Sequence, residues 1–245
     1  MNVLAIDSSC EVLSVALAIR NETFYIEIDA GMRHSELLME CADTLCKTAG
    51  ITPSDLDLVA CMKGPGSFTG LRIGYSGAKG IAMALGIPLA AIPTLDCLAY
   101  PLSIWPGIVL PAIDAKRGCF FAALYRNGKE ISGGMDASPQ TIAEEISLAG
   151  LSRDEPVVLT GPGAGLLFSG LTAFIPEEYI RVDPDRGKGK GRELLEIAKS
   201  RFSKEVNDIN SGPVYIRRSD AEEGIGNHGA SLESKTLHKN TNQAL

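Results

Sequence analysis

The stretch Val3–Leu17, VLAIDSSCEVLSVAL, recurs 107 positions later as Leu110–Leu124, LPAIDAKRGCFFAAL. Without a gap, Ala5-Ile6-Asp7 and Ala16-Leu17 match Ala112-Ile113-Asp114 and Ala123-Leu124. In each copy an apolar run ends on an acidic turn and a second apolar run follows, which reads as strand, turn, strand. What comes next repeats too. After the first copy the strand pattern runs to about residue 29, then a helix over 33–49, a strand over 57–62, a helix over 68–85 and a strand over 87–92. After the second copy strands run to about 135 and Ser138-Pro139 opens a helix that ends near 149. PVVLT at 156–160 is a strand, a short helical turn follows Gly163, YIRV at 179–182 is a strand, and GRELLEIAKSRF is a helix.

The common order, βββαβαβ, predicts an α/β fold made of two duplicated lobes. A chain of 245 residues accommodates two lobes of about 100 residues each. Pro101, Pro106 and Gly107 mark the boundary, giving lobes at 1–103 and 104–219. Residues 220–245 are polar and lack apolar periodicity, so a disordered tail is expected there.

A net charge of −7 argues against a protein that holds nucleic acid by its own charge. The six cysteines (10, 41, 46, 61, 97 and 119) sit mostly in apolar segments with no CxxC pair, as expected of reduced, buried thiols. MNVLAID has no basic stretch and its apolar run breaks at Asp7, so no signal peptide is expected. The longest nearly apolar run, IWPGIVLPAI, is too short and proline-rich to span a bilayer. A cytoplasmic protein without membrane contact is the expectation.

Asp7-Ser8-Ser9 and Asp114-Ala115-Lys116 each end a strand in a tight polar turn. The pair resembles the turns with which actin-like kinases and chaperones face metal and phosphate from two lobes. Asp7, Ser8, Ser9, Asp114, Gly161 and Gly163 are therefore the candidate lining of a cleft, although each Asp would equally serve its own turn amides. Lys116 and Arg117 replace small polar residues and no DxG appears, so the nucleotide site reads as degenerate. GPGSFTG, residues 64–70, connects a strand to a helix. Ser67 or Thr69 could cap that helix while free amides attract an anion; a plain tight turn is the simpler reading. No Gly-Lys-Ser/Thr follows, which excludes a Walker A loop. TGPGAG, residues 160–165, is a glycine turn that could approach an adenosine or a phosphate. DRGKGKGR, residues 185–192, reads as a solvated loop before a helix. His34 reads as a capping or surface residue, since no second ligand stands at helical spacing from it, and a metal site is not supported.

Two helices stand out. TGLRIGYSGAKGIAMAL carries charge only at Arg72 and Lys79, and the preceding helix has one charged stripe of Glu36, Glu40, Asp43 and Lys47. A helix apolar nearly all round must be covered on two sides, by its own sheet and by the other lobe or a partner.

LAIDSS, GMRHSELL, GPGSFTGLRIG, GAKGIAMALGIPLAAIPTLDCLA, IDAKRG and PVYIRR, in order over about residues 1–218, closely resemble the bacterial TsaB (YeaZ) family, GPGSFTGLRIG being the most specific piece. The resemblance implies a duplicated actin-like ATPase fold and a part in making threonylcarbamoyladenosine beside the tRNA anticodon. It implies a non-catalytic subunit, with no catalytic residue, that binds and activates the transferase TsaD and helps recruit the ATPase TsaE. TsaB alone forms homodimers in that family. Carried over by position, Leu37, Leu38, Cys41 and Leu45 with Leu71, Tyr75, Ala78 and Ala82 are the candidate partner-binding residues. TsaD has a metal-binding HxxxH motif, whereas the matching stretch here, Ile92–Leu98, has no histidine. No cofactor of the chain's own is implied; ATP or ADP and a metal enter through TsaD and TsaE, and tRNA only through the complex. A small-molecule kinase or ATPase of the same fold is the alternative, and a metallopeptidase the least supported reading.

Overall fold

In a computed structural model, residues 1–151, 155–201 and 207–214 are described. The first half forms β1 (Val3–Asp7), β2 (Val12–Ile19), β3 (Glu22–Asp29), α1 (His34–Thr48), β4 (Leu58–Gly64), α2 (Phe68–Leu85), β5 (Leu89–Pro93) and α3 (Thr94–Ala99). The second forms β6 (Val109–Asp114), β7 (Phe120–Ala122), β8 (Tyr125–Arg126), β9 (Lys129–Glu130), β10 (Met135–Ala137), α4 (Pro139–Ala149), β11 (Val157–Thr160), α5 (Ala164–Leu171), β12 (Ile180–Val182) and α6 (Gly191–Arg201). The predicted elements are present. Not anticipated were α3, six residues long, and the small β8–β9 hairpin.

Both sheets have one topology. The first runs β3-β2-β1-β4-β5 and the second β10-β7-β6-β11-β12, with β8 and β9 appended. In each, the opening strand pairs antiparallel with the next and parallel with the strand after the first helix. This is the duplicated, actin-like two-lobed architecture. The register differs in detail: Ala5 pairs with Ala16, but Ala112 pairs with Ala122, one position earlier than the repeat would place it. The second turn is shorter and turns through Lys116, Arg117 and Gly118, all at positive φ (63°, 57° and 75°).

Alternation on β1 divides its buried side chains between two faces. Leu4 and Ile6 pack in a cluster with Leu38 and Leu45 of α1 and Tyr75, Ala78 and Ala82 of α2. On the other face Val3 and Ala5, with Ala16 and Ala18 of β2, meet Leu194, Leu195, Ile197 and Ala198 of α6. The second sheet is covered likewise: Leu110 and Ala112 pack with α4 and α5, and Val109 and Ile113 with Leu95, Leu98 and Ala99 of α3. Each half therefore ends in a helix that covers the sheet of the other. A polar tie holds the crossing: the Tyr125 hydroxyl donates to Asp96 Oδ1 at 2.7 Å, and Arg201 Nη1 donates to Asp96 Oδ2 at 2.6 Å. Burial, and then the Asp96 carboxylate, push the Tyr125 phenol up, so it stays a donor.

Local signals set the helix ends. Ser67 Oγ accepts from the Gly70 N–H at 3.2 Å and Gly86, at φ 65°, closes α2 in the left-handed conformation. Ser138 caps α4, with Pro139 as its first residue. The edge strand β5 is protected because Asn207 Oδ1 and Asp208 Oδ2 accept from the N–H groups of Leu89 and Ala91 (3.2 and 2.9 Å). Val214 N–H donates to Lys63 O at 2.7 Å, so the start of PVYIRR lies beside β4. The remainder of that motif and the tail at 220–245 lie outside the described residues. Among the described residues no helix is long and apolar enough to cross a membrane.

Two glycines of α2 are predicted to respond oppositely to alanine. A Cβ at Gly74 would fall on Ser8 Oγ, so Gly74→Ala is expected to lower stability by about 1–3 kcal/mol. A Cβ at Gly80 meets nothing within 4 Å, so Gly80→Ala is expected to raise it by up to ~1 kcal/mol. Urea unfolding of both variants checks this.

Candidate functional site

The end of β1 is clamped onto the start of α2. Ser8 Oγ donates to Gly70 O at 2.8 Å, and Ser67 N–H donates to Ser9 O at 2.7 Å. A side chain at Gly66 would strike Ser9 O, 2.6 Å from the Cβ position, and one at Gly70 would strike Ser8 O. The glycines of GPGSFTG therefore let this loop lie directly on the β1 turn.

Asp7 is 1 % exposed and its carboxylate is engaged within the chain. Oδ1 accepts from Ser9 N–H (2.9 Å) and Ser9 Oγ (2.7 Å), while Oδ2 accepts from Lys190 N–H (2.8 Å). That last bond narrows the reading of residues 185–192 as a solvated loop: residues 185–188 are exposed, whereas Gly189, Lys190 and Gly191 are buried. Lys190 is buried, Gly191 N–H donates to Ser14 Oγ at 3.2 Å, and Gly189 sits against the Ser14 side chain. The glycines admit the loop to the back of β2.

Asp114 behaves differently. Its Oδ1 accepts from Lys116 N–H and its Oδ2 from Lys116 Nζ, both at 2.7 Å, and the Lys116 ammonium holds its carboxyl below the ordinary value. Gly161 and Gly163 are packing residues. At φ 86°, Gly161 has its Cβ position 2.7 Å from Ala112 O, and Gly163 N–H donates to Ala112 O at 2.9 Å.

The two carboxylates do not share a working cleft. Asp7 lines a void of about 10 Å³ with Thr94, Leu98, Ile113 and Pro162, room for about one water molecule. Asp114 lines an adjoining cavity of about 660 Å³ with Ser9, Cys10, His34, Thr69 and Phe121. A nucleotide phosphate and its metal do not fit at Asp7, where three hydrogen bonds already engage the carboxylate and the adjoining void is only about 10 Å³. No step is derived through them. Cys10 is not a nucleophile: burial, and then the Asp7 carboxylate, push its thiol up to about 12.

The eight residues expected to bind a partner need correction. Leu38, Cys41, Leu45, Leu71, Tyr75, Ala78 and Ala82 are all buried in the chain's own core, and only Leu37 is partly exposed. They form the stripes that meet the sheet and each other. The outward faces carry Met39 and Met83, exposed at 55 % and 64 %, together with Gly80 and the half-buried Ile73 and Ile81, while Gly77 packs against Leu38 of α1. His34 is likewise neither a cap nor a surface residue: Arg33 holds the cap position of α1 and His34 is 4 % exposed. A histidine opening a helix directly after a Gly-Met-Arg turn was the available signal, but the string of residues does not show its burial.

This geometry defines a class: a two-lobed actin-like protein in which the carboxylate that ends the first strand is hydrogen-bonded within the chain. The family described as "TsaD: tRNA N6-adenosine threonylcarbamoyltransferase" matches residues 28–210. The tRNA threonylcarbamoyladenosine biosynthesis protein TsaB of Escherichia coli K12 is 34 % identical over 235 residues, covering 90 % of this chain and 96 % of that protein. The Bacillus subtilis 168 protein of the same name is 27 % identical, covering 91 % and 96 %. The solved structure of YeaZ from Pseudomonas aeruginosa superposes with a TM-score of 0.70 at 26 % identity, over 88 % of this chain and 99 % of that one. The chain belongs to the TsaB, or YeaZ, family.

Two outcomes are expected at the turns. In Asp7→Asn an amide N–H₂ must face a donor, either Ser9 or the Lys190 N–H, so urea unfolding should show a loss of about 1–3 kcal/mol. The stability that Asp114 contributes is present at neutral pH and fades as pH falls through its lowered folded pKa. Lys116→Ala should move that pKa upward, which an NMR titration of the Asp114 carboxyl would record.

Proposed function

We propose that this chain acts in tRNA threonylcarbamoyladenosine biosynthesis as a non-catalytic subunit that binds and activates the transferase TsaD. The observation that carries the non-catalytic reading is the Asp7 carboxylate, engaged by Ser9 and Lys190 beside a void of about 10 Å³. A residue held in this way supports the β1 turn. The role itself comes from the TsaB relatives, whose printed names place them in this biosynthesis and which align over nearly their whole length.

The surface that meets TsaD is the outward face of α1 and α2. Leu37, Ile73, Gly80, Ile81 and Met83 offer apolar and small side chains there. Glycines on an exposed helix face lower helix propensity, a cost offset when another helix packs at close range. In isolation two copies of the chain would pair through the same face. TsaE joins the assembled pair, ATP and metal act on TsaD and TsaE, and tRNA is held by the complex as a whole, consistent with the chain's net charge of −7.

The test combines light scattering on this protein with and without TsaD and a threonylcarbamoylation assay of tRNA. A stable pair and an activity that depends on it are expected. Gly80→Glu leaves the fold intact, since its Cβ position is open, but puts an unpaired charge into a dry contact. A loss of about 2 kcal/mol or more, roughly 30-fold in Kd, is expected. Unchanged binding by both Gly80→Glu and Ile81→Glu would remove this face from the interface, and failure of any pair to form would overturn the scaffold role.

A further inference from the structure

The first sheet has two edges, and the chain treats them differently. At β5 the side chains of Asn207 and Asp208 accept from the N–H groups of Leu89 and Ala91. The opposite edge, β3, pairs with β2 alone, and among the described residues nothing bonds to its outer side. It is 8 residues long, pairs with β2 without a bulge and contains neither proline nor lysine. An edge of this kind is a template for another strand.

The hairpin fixes which backbone groups are free. Only Arg20 and Asn21 separate β2 from β3, and Ile19 stands opposite Glu22. In a two-residue hairpin the pair flanking the turn exchanges both its bonds, and bonded pairs then alternate along the ladder. Glu22, Phe24, Ile26 and Ile28 therefore bond to β2, whereas Thr23, Tyr25, Glu27 and Asp29 turn their N–H and C=O groups outward. The Ala30 N–H, which donates to Glu11 O at 3.1 Å, keeps the same alternation. Side chains alternate as well: Phe24, Ile26 and Ile28 are half-buried against the core shared with α1 and α2, and Thr23, Tyr25, Glu27 and Asp29 are exposed on the other face.

We propose that β3 pairs antiparallel with β3 of a second copy of this chain, about a two-fold axis at Ile26, so that the two first sheets become one. In this register Thr23 and Tyr25 exchange backbone bonds with the partner's Asp29 and the partner's Glu27, and every carboxylate on the exposed face stands opposite a hydroxyl-bearing side chain. On the half-buried face Phe24 meets the partner's Ile28, and Ile26 meets its own counterpart. Sliding the pairing by two positions sets Glu27 against its own counterpart in one direction and Glu22 against Ile28 in the other, so charge and burial select a single register. A contact of this length falls at the small end of protein interfaces, which makes a weak, concentration-dependent pair. It is distinct from pairing through the outward face of α1 and α2, and it rests on the strand geometry and not on the subunit role proposed above.

The test is sedimentation equilibrium of the full-length protein over a concentration series, with amide hydrogen exchange measured at the lowest and highest concentrations. A dimer is expected, with exchange at Thr23, Tyr25, Glu27 and Asp29 slowed as it forms. Thr23→Glu changes an exposed side chain and sets a carboxylate opposite the partner's Asp29 twice in the dimer, which should weaken it roughly two- to thirtyfold; Thr23→Lys should strengthen it by a similar factor. Glu27→Pro removes an outward N–H and leaves the bonds to β2 in place, so it should weaken the dimer by about tenfold or more. Exchange at the four outward amides that does not depend on concentration would overturn the proposal. So would equal dimer strength in Thr23→Glu and Thr23→Lys, or a dimer lost in Gly80→Glu yet unchanged by the β3 variants. Should Glu27→Pro not fold, the two Thr23 variants and the exchange of the unaltered protein decide.

Discussion

A sheet whose central strands are apolar on both faces has to be covered twice, and in this molecule that requirement ties the two halves together. One cover comes from each half's own helices, α1 and α2 for the first sheet and α4 and α5 for the second. The other is exchanged: α3 leaves the first half to pack on the second sheet, and α6 leaves the second half to pack on the first. Small residues dominate the face that receives α6, with Ala5, Ala16, Ala18 and Ala60 in place of the larger Leu4, Ile6, Leu13 and Leu17 opposite. The helix can therefore approach closely and bring the loop that precedes it to the back of Asp7.

This approach accounts for the state of the first acidic turn. In a hinged two-lobed enzyme the carboxylate at the end of the first strand must stay available for substrate or metal. Here the Lys190 amide, carried in by the loop leading to α6, occupies Oδ2, and the Ser9 turn occupies Oδ1. The glycine loop at 64–70 presses on the same turn from the other side, which fixes where α2 starts. Packing thus closes one end of the space between the lobes, while the other end, beside the starts of α1 and α2, stays open.

Much of the architecture was legible because the signals that set it are local. Ser67, Gly86, Ser138-Pro139 and the repeated Ala-Ile-Asp fix element ends and strand order without reference to distant residues. The failures share a cause in long-range contact. TLDCLA is too short for periodicity to mark it, and it becomes a helix where it can bury Leu95 and Leu98 on the second sheet. On α1 and α2 a pattern that is apolar nearly all round cannot say which stripe meets the sheet, and seven of the eight residues carried over by position from the family resemblance lie in the chain's own core. His34 and the end of the loop at 185–192 look polar and solvated as strings of residues, yet both are buried, and Lys190 meets Asp7 from 183 positions away.

The exchange of covering helices also has a consequence for synthesis. A chain made from its N-terminus can complete the first sheet once β5 has emerged, yet the helix for that sheet's second face is encoded at residues 191–201. For about a hundred residues of translation, at about 5–20 residues per second, the small apolar face of β1 and β2 waits for its cover. That apolar face is thus exposed for several seconds in the nascent first half, an exposure absent from the finished protein.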